Sequence, residues 1–382
     1  MKLSDFDYYL PKNMIAQSPV AKRDCSKLLK LNLSSGEIQH QRFNQITDIL
    51  RAGDVLVLND SRVINARFFG HKPTGGKIEL LVLDSNIINQ PQDTDSIVVD
   101  CLVKGKVSPE LNVDLNLEHK QTQIQNQKTA VSAKLLKHVS GGRFKVKFNS
   151  EIPFNELLPK YGSVPLPPYI KQELEDPERY QTIYSKNLGS IAAPTAGLHF
   201  TPELLKTLED NGIQIAYITL HISYGTFTPV HTENITQHKM DREYAILTTR
   251  NSDIINQVYK SKMDKPKGTS GRLVAVGTTV VRTLETIALN SSINSSLNSL
   301  SANGTIKQLS PWEGWTQLFI YPGFKFKAGI DILITNFHLP KSTLLMLVTA
   351  FAGRSPIIKA YKEAIEKKYR FYSLGDSMMI IK

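Results

Sequence analysis

The sequence predicts an α/β protein: a large α/β domain with an inserted small antiparallel β-barrel domain. Three observations carry that expectation. Short apolar runs such as Val55 to Leu58 read as strands covered on both faces. Between 69 and 158 the texture changes to short alternating pieces separated by Gly, Pro and polar runs, the pattern of an antiparallel barrel or sandwich. After "PLPPYI" (165–170), strand-like and helix-like stretches alternate again. The expected domains are 1–68 together with 159–382, and 69–158.

Each element has its own reason. "GDVLVLNDSRVINARF" (53–68) begins with a strand that ends on Asn59, Asp60 and Ser61, small polar residues that turn the chain. "KIELLVL", "VVDCLVKG", "AKLLKHV" and "RFKVKF" supply barrel strands, with polar loops at 86–95 and 118–128. "PELLKTLEDNG" has helical spacing, with Thr201 at the N-cap, Pro202 at the first position and Gly212 at the stop. "IQIAYITLHI" is a strand, and "NSDIINQVYKSKMDKPKG" an exposed helix and loop. "RLVAVGT" and "TVVRTLETIAL" give strand and helix, followed by a third polar stretch at 290–304. "GWTQLFIYPG" and "DILITNFHLP" are strands, "STLLMLVTAFAG" and "SPIIKAYKEAIEKKYR" helices, and "FYSLGDSMMII" a closing strand.

Composition narrows the class. With 41% hydrophobic and 21% charged residues over 382 positions, a large core needs no disulfide or metal to hold it. Cys25 and Cys101 are far apart, which suits a reducing compartment and argues against a zinc ribbon. No early apolar segment reads as a signal, and no apolar run reaches the ~20 residues of a membrane span. A cytoplasmic protein with no membrane partner is expected. The net charge of +11 favours a polyanionic partner, nucleic acid before membrane; a generally basic composition explains it as well.

Five polar clusters follow strands, where open α/β sheets gather ligands. "LNDSRV" offers Asn59, Asp60, Ser61 and Arg62, either for a polar substrate or as a buried strand end. "AAPTAGLHFT" offers Thr195, Gly197 and His199 before a helix N-terminus, where anions are welcome; the alternative is a turn with His199 satisfied locally. "HISYGTFTPV" brings His221, Tyr224, Gly225 and Thr226, and the following segment adds His231, His238 and Glu243. None of those intervals is the HExxH spacing of a metal site, so no metal is expected. "VGTTVVRTLE" sets Gly277 and Thr278 before a helix carrying Arg282 and Glu285, the last two spaced for a surface contact. "TNFHLPKST" brings Asn336, His338, Lys341 and Ser342; a capped core helix accounts for Ser342 but not for His338 and Lys341. No Walker A loop and no GxGxxG is present. Five such clusters together point to a binding crevice.

At this level of detail the chain resembles a known family. "NDSRVINARFFGHKPTGGKIELLVL", "YQTIYSKNLGSIAAPTAGLHFT", "HISYGTFTPV", "VGTTVVRTLE", "TNFHLPKSTLLMLVTAFAG" and "YRFYSLGDSMMI" resemble the S-adenosylmethionine:tRNA ribosyltransferase-isomerases of queuosine synthesis, from "FDYYLPKNMIAQ" to the last strand. Two positions depart: Asp241 stands where the family has His, and Asn65 where it has Pro. The resemblance implies transfer and isomerisation of the ribosyl moiety of S-adenosylmethionine onto 7-aminomethyl-7-deazaguanine at the tRNA wobble position. Epoxyqueuosine-tRNA, adenine and methionine would result. S-adenosylmethionine would be a consumed substrate, with no other cofactor, and the enzyme a monomer. Under that reading His199, His221, His238 and Glu243 are candidates for proton transfer, with His199 and His221 first. Arg282, Lys341 or a helix N-terminus would hold the methionine carboxylate, and Asn59, Asp60 and Arg62 would read the guanine-like edge. Two other readings stay open: a tRNA-binding module without catalysis, and a metal hydrolase built on the His/Glu group.

Overall fold

A computed structural model describes residues 1–83, 96–115, 131–227, 229–264, 266, 268–294 and 308–382. The polar stretches expected at 86–95 and 118–128, and most of 290–304, lie outside the described residues. The chain divides into two compact units. One comprises Met1–Ser61, Pro168–Lys186 and Ala193–Lys382; the other comprises Arg62–Pro167 and Asn187–Ala192.

After three short 3-10 turns the first unit forms a hairpin, β1 (Lys27–Asn32) and β2 (Ile38–Arg42), which is not among the expected elements. Leu28, Leu29 and Leu31 of β1 are all buried. β3 (Val55–Asn59) is buried at every position, as its unbroken apolar run requires. The chain then enters the second unit through β4 (Ser61–Val63). Its strands β5 (Arg67–His71), β6 (Lys77–Val82), β7 (Ser96–Lys104), β8 (Asn112–Asp114), β9 (Ser132–Ser140) and β10 (Arg143–Asn149) close into a six-stranded antiparallel barrel, in the order β10-β7-β6-β5-β8-β9. Alternation sets Phe144, Val146 and Phe148 of β10 inward and Lys145 and Lys147 outward. Helix α1 (Phe154–Tyr161) follows, and β11 (Asn187–Ser190) pairs with β4.

Back in the first unit, α2 (Pro202–Asp210) begins as its sequence predicts: Thr201 Oγ1 accepts from Leu204 N at 3.1 Å, with Pro202 next. β12 (Gln214–His221), β13 (Glu243–Leu247), α3 (Thr249–Asp264), β14 (Leu273–Val276), α4 (Thr278–Asn294), β15 (Trp312–Thr316), β16 (Ile332–Asn336), α5 (Thr343–Ala352), α6 (Arg354–Glu366) and β17 (Ser377–Ile381) complete it. Helix α3 is less exposed than expected, burying Ile255, Val258 and Tyr259. The strand expected across 314–323 stops at Thr316. Beyond it Gln317 Nε2 donates to Met240 O, Leu318 N to Thr316 Oγ1, and Leu318 O accepts from Arg282 Nε, so these groups leave the ladder.

These strands form a nine-stranded sheet in the order β15-β13-β12-β3-β14-β16-β17-β1-β2. The central four, β12-β3-β14-β16, are mutually parallel. Leu56, Leu58, Val274, Val276, Ile332 and Ile334 pack with Leu204, Leu205 and Leu208 of α2; burying each such side chain contributes roughly 1.5–3 kcal/mol. The parallel register brings the ends of β3, β12, β14 and β16 to one edge. Antiparallel β13 and β17 bring their first residues, Glu243 and Ser377, to that same edge. Among the described residues no single helix is long and apolar enough to cross a membrane.

Candidate functional site

Along this edge runs a polar rim, built differently at its two ends. At one end, Thr195 to His199 form a 3-10 turn that returns His199 to the strand ends. Its Nε2 accepts from Asn336 Nδ2 at 3.4 Å, which leaves Nδ1 to donate to Ser26 Oγ at 2.7 Å. The ring stacks on Phe43, centroids 4.9 Å apart. Burial, with the charges of Arg23 and Arg370 behind it, pushes the His199 pKa down to about 3, so the imidazole is neutral. Thr195 Oγ1 donates to Asn336 Oδ1 at 3.0 Å, and Asn336 also donates to Tyr372 O at 3.2 Å. The close approach that Gly197 permits is that of Tyr184: a Cβ there would lie 2.0 Å from the tyrosine hydroxyl.

A cleft opens beside His199, lined also by Val20, Arg23, Arg179, Leu198 and Ser373. Arg23 donates to Leu198 O and Glu178 O at 3.1 and 2.9 Å, and Arg179 to Ala21 O and Val20 O at 3.1 and 2.6 Å. Burial, then the neighbouring Arg179, lowers the Arg23 pKa. The cleft is therefore cationic.

In the middle of the rim Asn59 stitches strand ends together. Its Oδ1 accepts from Leu220 N and Ser61 N at 3.0 and 3.1 Å, and its Nδ2 donates to Leu220 O at 3.1 Å and lies 3.4 Å from Thr279 Oγ1. Asp60 accepts from Thr219 Oγ1 at 2.6 Å. Ser61 is buried and its Oγ has no hydrogen-bond partner among the described residues. Arg62 belongs to the second unit. Gly277 takes φ +93°, the left-handed region glycine favours, and turns the end of β14 into α4 at the buried Thr278.

The other end of the rim is ionic. Arg282 Nη1 lies 2.5 Å from Glu243 Oε2, with only 5% and 2% of these residues exposed. Glu243 Oε1 accepts from Ser223 N, Ser223 Oγ and Thr226 Oγ1 at 3.0, 3.3 and 3.1 Å, so it orders the turn carrying Tyr224 and Gly225. A Cβ on Gly225 would meet Asp241 Oδ2 at 2.2 Å. His221, at the end of β12, is buried; its Nδ1 has no partner among the described residues, and burial pushes its pKa down to about 4. The surface pairing of Arg282 with Glu285 is not formed. Glu285 is buried and accepts from Lys327 N and Ala328 N at 2.8 and 3.1 Å, with burial raising its pKa to about 7.

The remaining candidates are set apart. His238 is half-buried against Phe319, ring centroids 5.4 Å apart, with burial lowering its pKa. His338 is buried with Nε2 2.8 Å from Thr335 Oγ1, its pKa pushed down to about 3. Lys341 pairs with Asp7 at 2.7 Å. Ser342 caps α5, accepting from Leu345 N at 3.2 Å and donating to Leu339 O at 2.7 Å. Among the described residues no three His, Cys, Asp or Glu side chains group as metal ligands. Ser26, Arg23 and Arg179, at or beside the rim, lie outside the five clusters, and Thr279 lies in one of them beside Thr278 without having been singled out.

A large mixed sheet whose strand ends gather neutral histidines, a buried ion pair and a cationic cleft defines an α/β enzyme. Residues 3–380 match the family described as queuosine biosynthesis protein. A relative from Desulfitobacterium hafniense is 46% identical over 383 residues, covering all of both chains, and one from Natranaerobius thermophilus 44% over 381 residues, covering 100% of this chain and 99% of its own; both are named S-adenosylmethionine:tRNA ribosyltransferase-isomerase. The crystal structure of an S-adenosylmethionine tRNA ribosyltransferase from Thermotoga maritima superposes with a TM-score of 0.51 at 33% identity, over 99% of this chain and 100% of that one. The chain belongs to the S-adenosylmethionine:tRNA ribosyltransferase-isomerase family, enzymes that are transferases and isomerases at once.

Proposed function

We propose that the protein transfers the ribosyl moiety of S-adenosylmethionine to 7-aminomethyl-7-deazaguanine at the tRNA wobble position and isomerises it. The products are epoxyqueuosine-tRNA, adenine and methionine. The full-length match to relatives named S-adenosylmethionine:tRNA ribosyltransferase-isomerase supports the reading; the acceptor base and the products are the proposal's own. S-adenosylmethionine is consumed and no other cofactor takes part; the enzyme acts as a monomer in the cytoplasm, where its tRNA is.

The chemistry assigns work to the rim. The sulfonium acidifies the C5′ protons, so a base that takes one starts the loss of adenine, and protonation of the adenine ring helps it leave. The neutral aminomethyl nitrogen then attacks, and methionine departs as an oxygen closes the epoxide. His221 fits the base, since it is buried and its Nδ1 is without a partner among the described residues. A proton there gains stability as anionic RNA arrives. His199, held on both ring nitrogens, orients substrate as a neutral group. Arg282 is committed to Glu243 and Lys341 to Asp7. Arg23 and Arg179, whose hydrogen bonds go to uncharged backbone carbonyls, are the cations we assign to the methionine carboxylate, in the cleft beside His199.

Adenine release tests the reading. With tRNA carrying the aminomethyl-deazaguanine, wild type is expected to release adenine and methionine together, and with unmodified tRNA neither. His199→Ala is expected to slow release on the order of 100-fold, the cost of a misplaced substrate. A folded wild type that releases no adenine would leave an RNA-binding module instead.

A further inference from the structure

We infer that β15, the outermost strand of the large sheet among the described residues, carries a stacking platform for an unpaired RNA base, centred on Trp315. The inference rests on the tRNA reading above. Cross-strand register places His221 opposite Tyr244, and Tyr244 opposite Trp315. Side chains directly opposite share a face, so one row of rings runs from the buried end of β12 to the outermost strand. The neighbouring pair, Glu243 and Thr316, faces the other way and is buried.

Trp315 is 42% exposed on the edge strand. Tyr244 meets it edge to face, centroids 5.2 Å apart at 63°, and Tyr244 Oη is fixed by donating to Glu313. The guanidinium of Arg242 sits 4.9 Å from the indole centroid. Arg242 and Lys239 are both exposed, and the turn that carries them is tied to the end of β15 by Gln317 Nε2 donating to Met240 O at 3.2 Å. With the guanidinium over one face of the indole, the exposed ring offers a base its opposite face and the adjoining phosphate a counter-charge. Shielding of a sheet edge by a charged residue explains Arg242 but not a large exposed ring beneath it. The row leads inward to His221, so a base stacked on Trp315 would be one flanking the nucleotide that reacts.

The protein's two tryptophans are Trp312 and Trp315, so in Trp312→Phe the emission reports on Trp315 alone. An unmodified anticodon stem-loop RNA is expected to quench it, and inorganic polyphosphate, a polyanion without bases, is not. In the full-length enzyme Trp315→Ala is expected to weaken stem-loop binding by about 5- to 150-fold, the loss of one base–aromatic stack. Trp315→Phe is expected to retain most of the affinity, and the KM for S-adenosylmethionine to stay unchanged in both. Equal quenching by polyphosphate, or wild-type RNA affinity in a folded Trp315→Ala, would overturn the inference, as would a change in oligomeric state with RNA affinity intact. RNA quenching in a wild type that releases no adenine would sink the proposed reaction and leave the platform standing.

Discussion

The two ends of the polar rim bury polar groups by opposite means. Around His199 the solution is neutrality: desolvation strips the proton, and Ser26 and Asn336 hold the imidazole with uncharged hydrogen bonds. Around Glu243 the solution is compensation, a carboxylate and a guanidinium kept together in nearly dry surroundings with three further donors on the carboxylate. The neutral end trades stability for a pH-dependent group. The ionic end is intolerant of losing one partner.

The sharpest way to break this contrast is Glu243→Leu, which strands the Arg282 guanidinium. A loss of about 3–5 kcal/mol is expected in urea unfolding, because an unpaired buried charge is left. Glu243→Leu with Arg282→Leu should recover much of it; if the double variant is no better than the single one, the charge is not what the site was balancing.

Acid should strain the buried histidines, at the neutral end and beyond it. His199, His221 and His338 have folded-state pKa values of about 3, 4 and 3, below the unfolded 6.5. The unfolded chain takes up their protons first, so their contribution is whole above pH 6.5 and is lost as the pH falls toward 4. Glu285 runs the other way: its folded pKa of about 7 lies above the usual 4.5, so it favours the folded state at low pH and loses that contribution as the pH rises through 7. Asp376, raised by burial, acts in the same direction as Glu285. Near pH 5 the unfolded chain binds roughly two more protons than the folded one. Stability should therefore fall by on the order of 2–3 kcal/mol per pH unit there. His338→Asn should remove about one proton from that slope, measured as urea midpoints between pH 4.5 and 7.5.

The smallest effect belongs to a helix end away from both charges. Thr201→Ala deletes the cap on Leu204 N and should cost about 1 kcal/mol, with rim geometry preserved. Thermal unfolding that moves by several times this amount would mean that Thr201 braces His199 as well.

Several elements were legible because their signal is local. The buried run of β3, the Thr201-Pro202 start of α2 and the alternation of β10 each follow from neighbouring residues. The β1–β2 hairpin was missed although Leu28, Leu29 and Leu31 mark it, because adjacent buried leucines blur a period of two. Of the site, the positions of Asn59, Gly277 and Asn336 at strand ends could be read, since strand ends follow from strands; His199 was legible only as a residue ahead of a helix start, and the 3-10 turn brings it to the rim. Their partners could not. Asn59 turns inward to stitch β12, Lys341 goes to Asp7, and Ser342 is spent on its own helix.

Fold class, helix starts and the places where chemistry can gather were thus written in short stretches of sequence, because propensity, capping and periodicity act over a few residues. The pairing of Glu243 with Arg282, the neutrality of His199 between Ser26 and Asn336, and the row from His221 to Trp315 were decided by the folded sheet. Those depend on strand order and on removal from water, which bring together groups 39, 173, 137 and 94 positions apart and set their charge only once they meet.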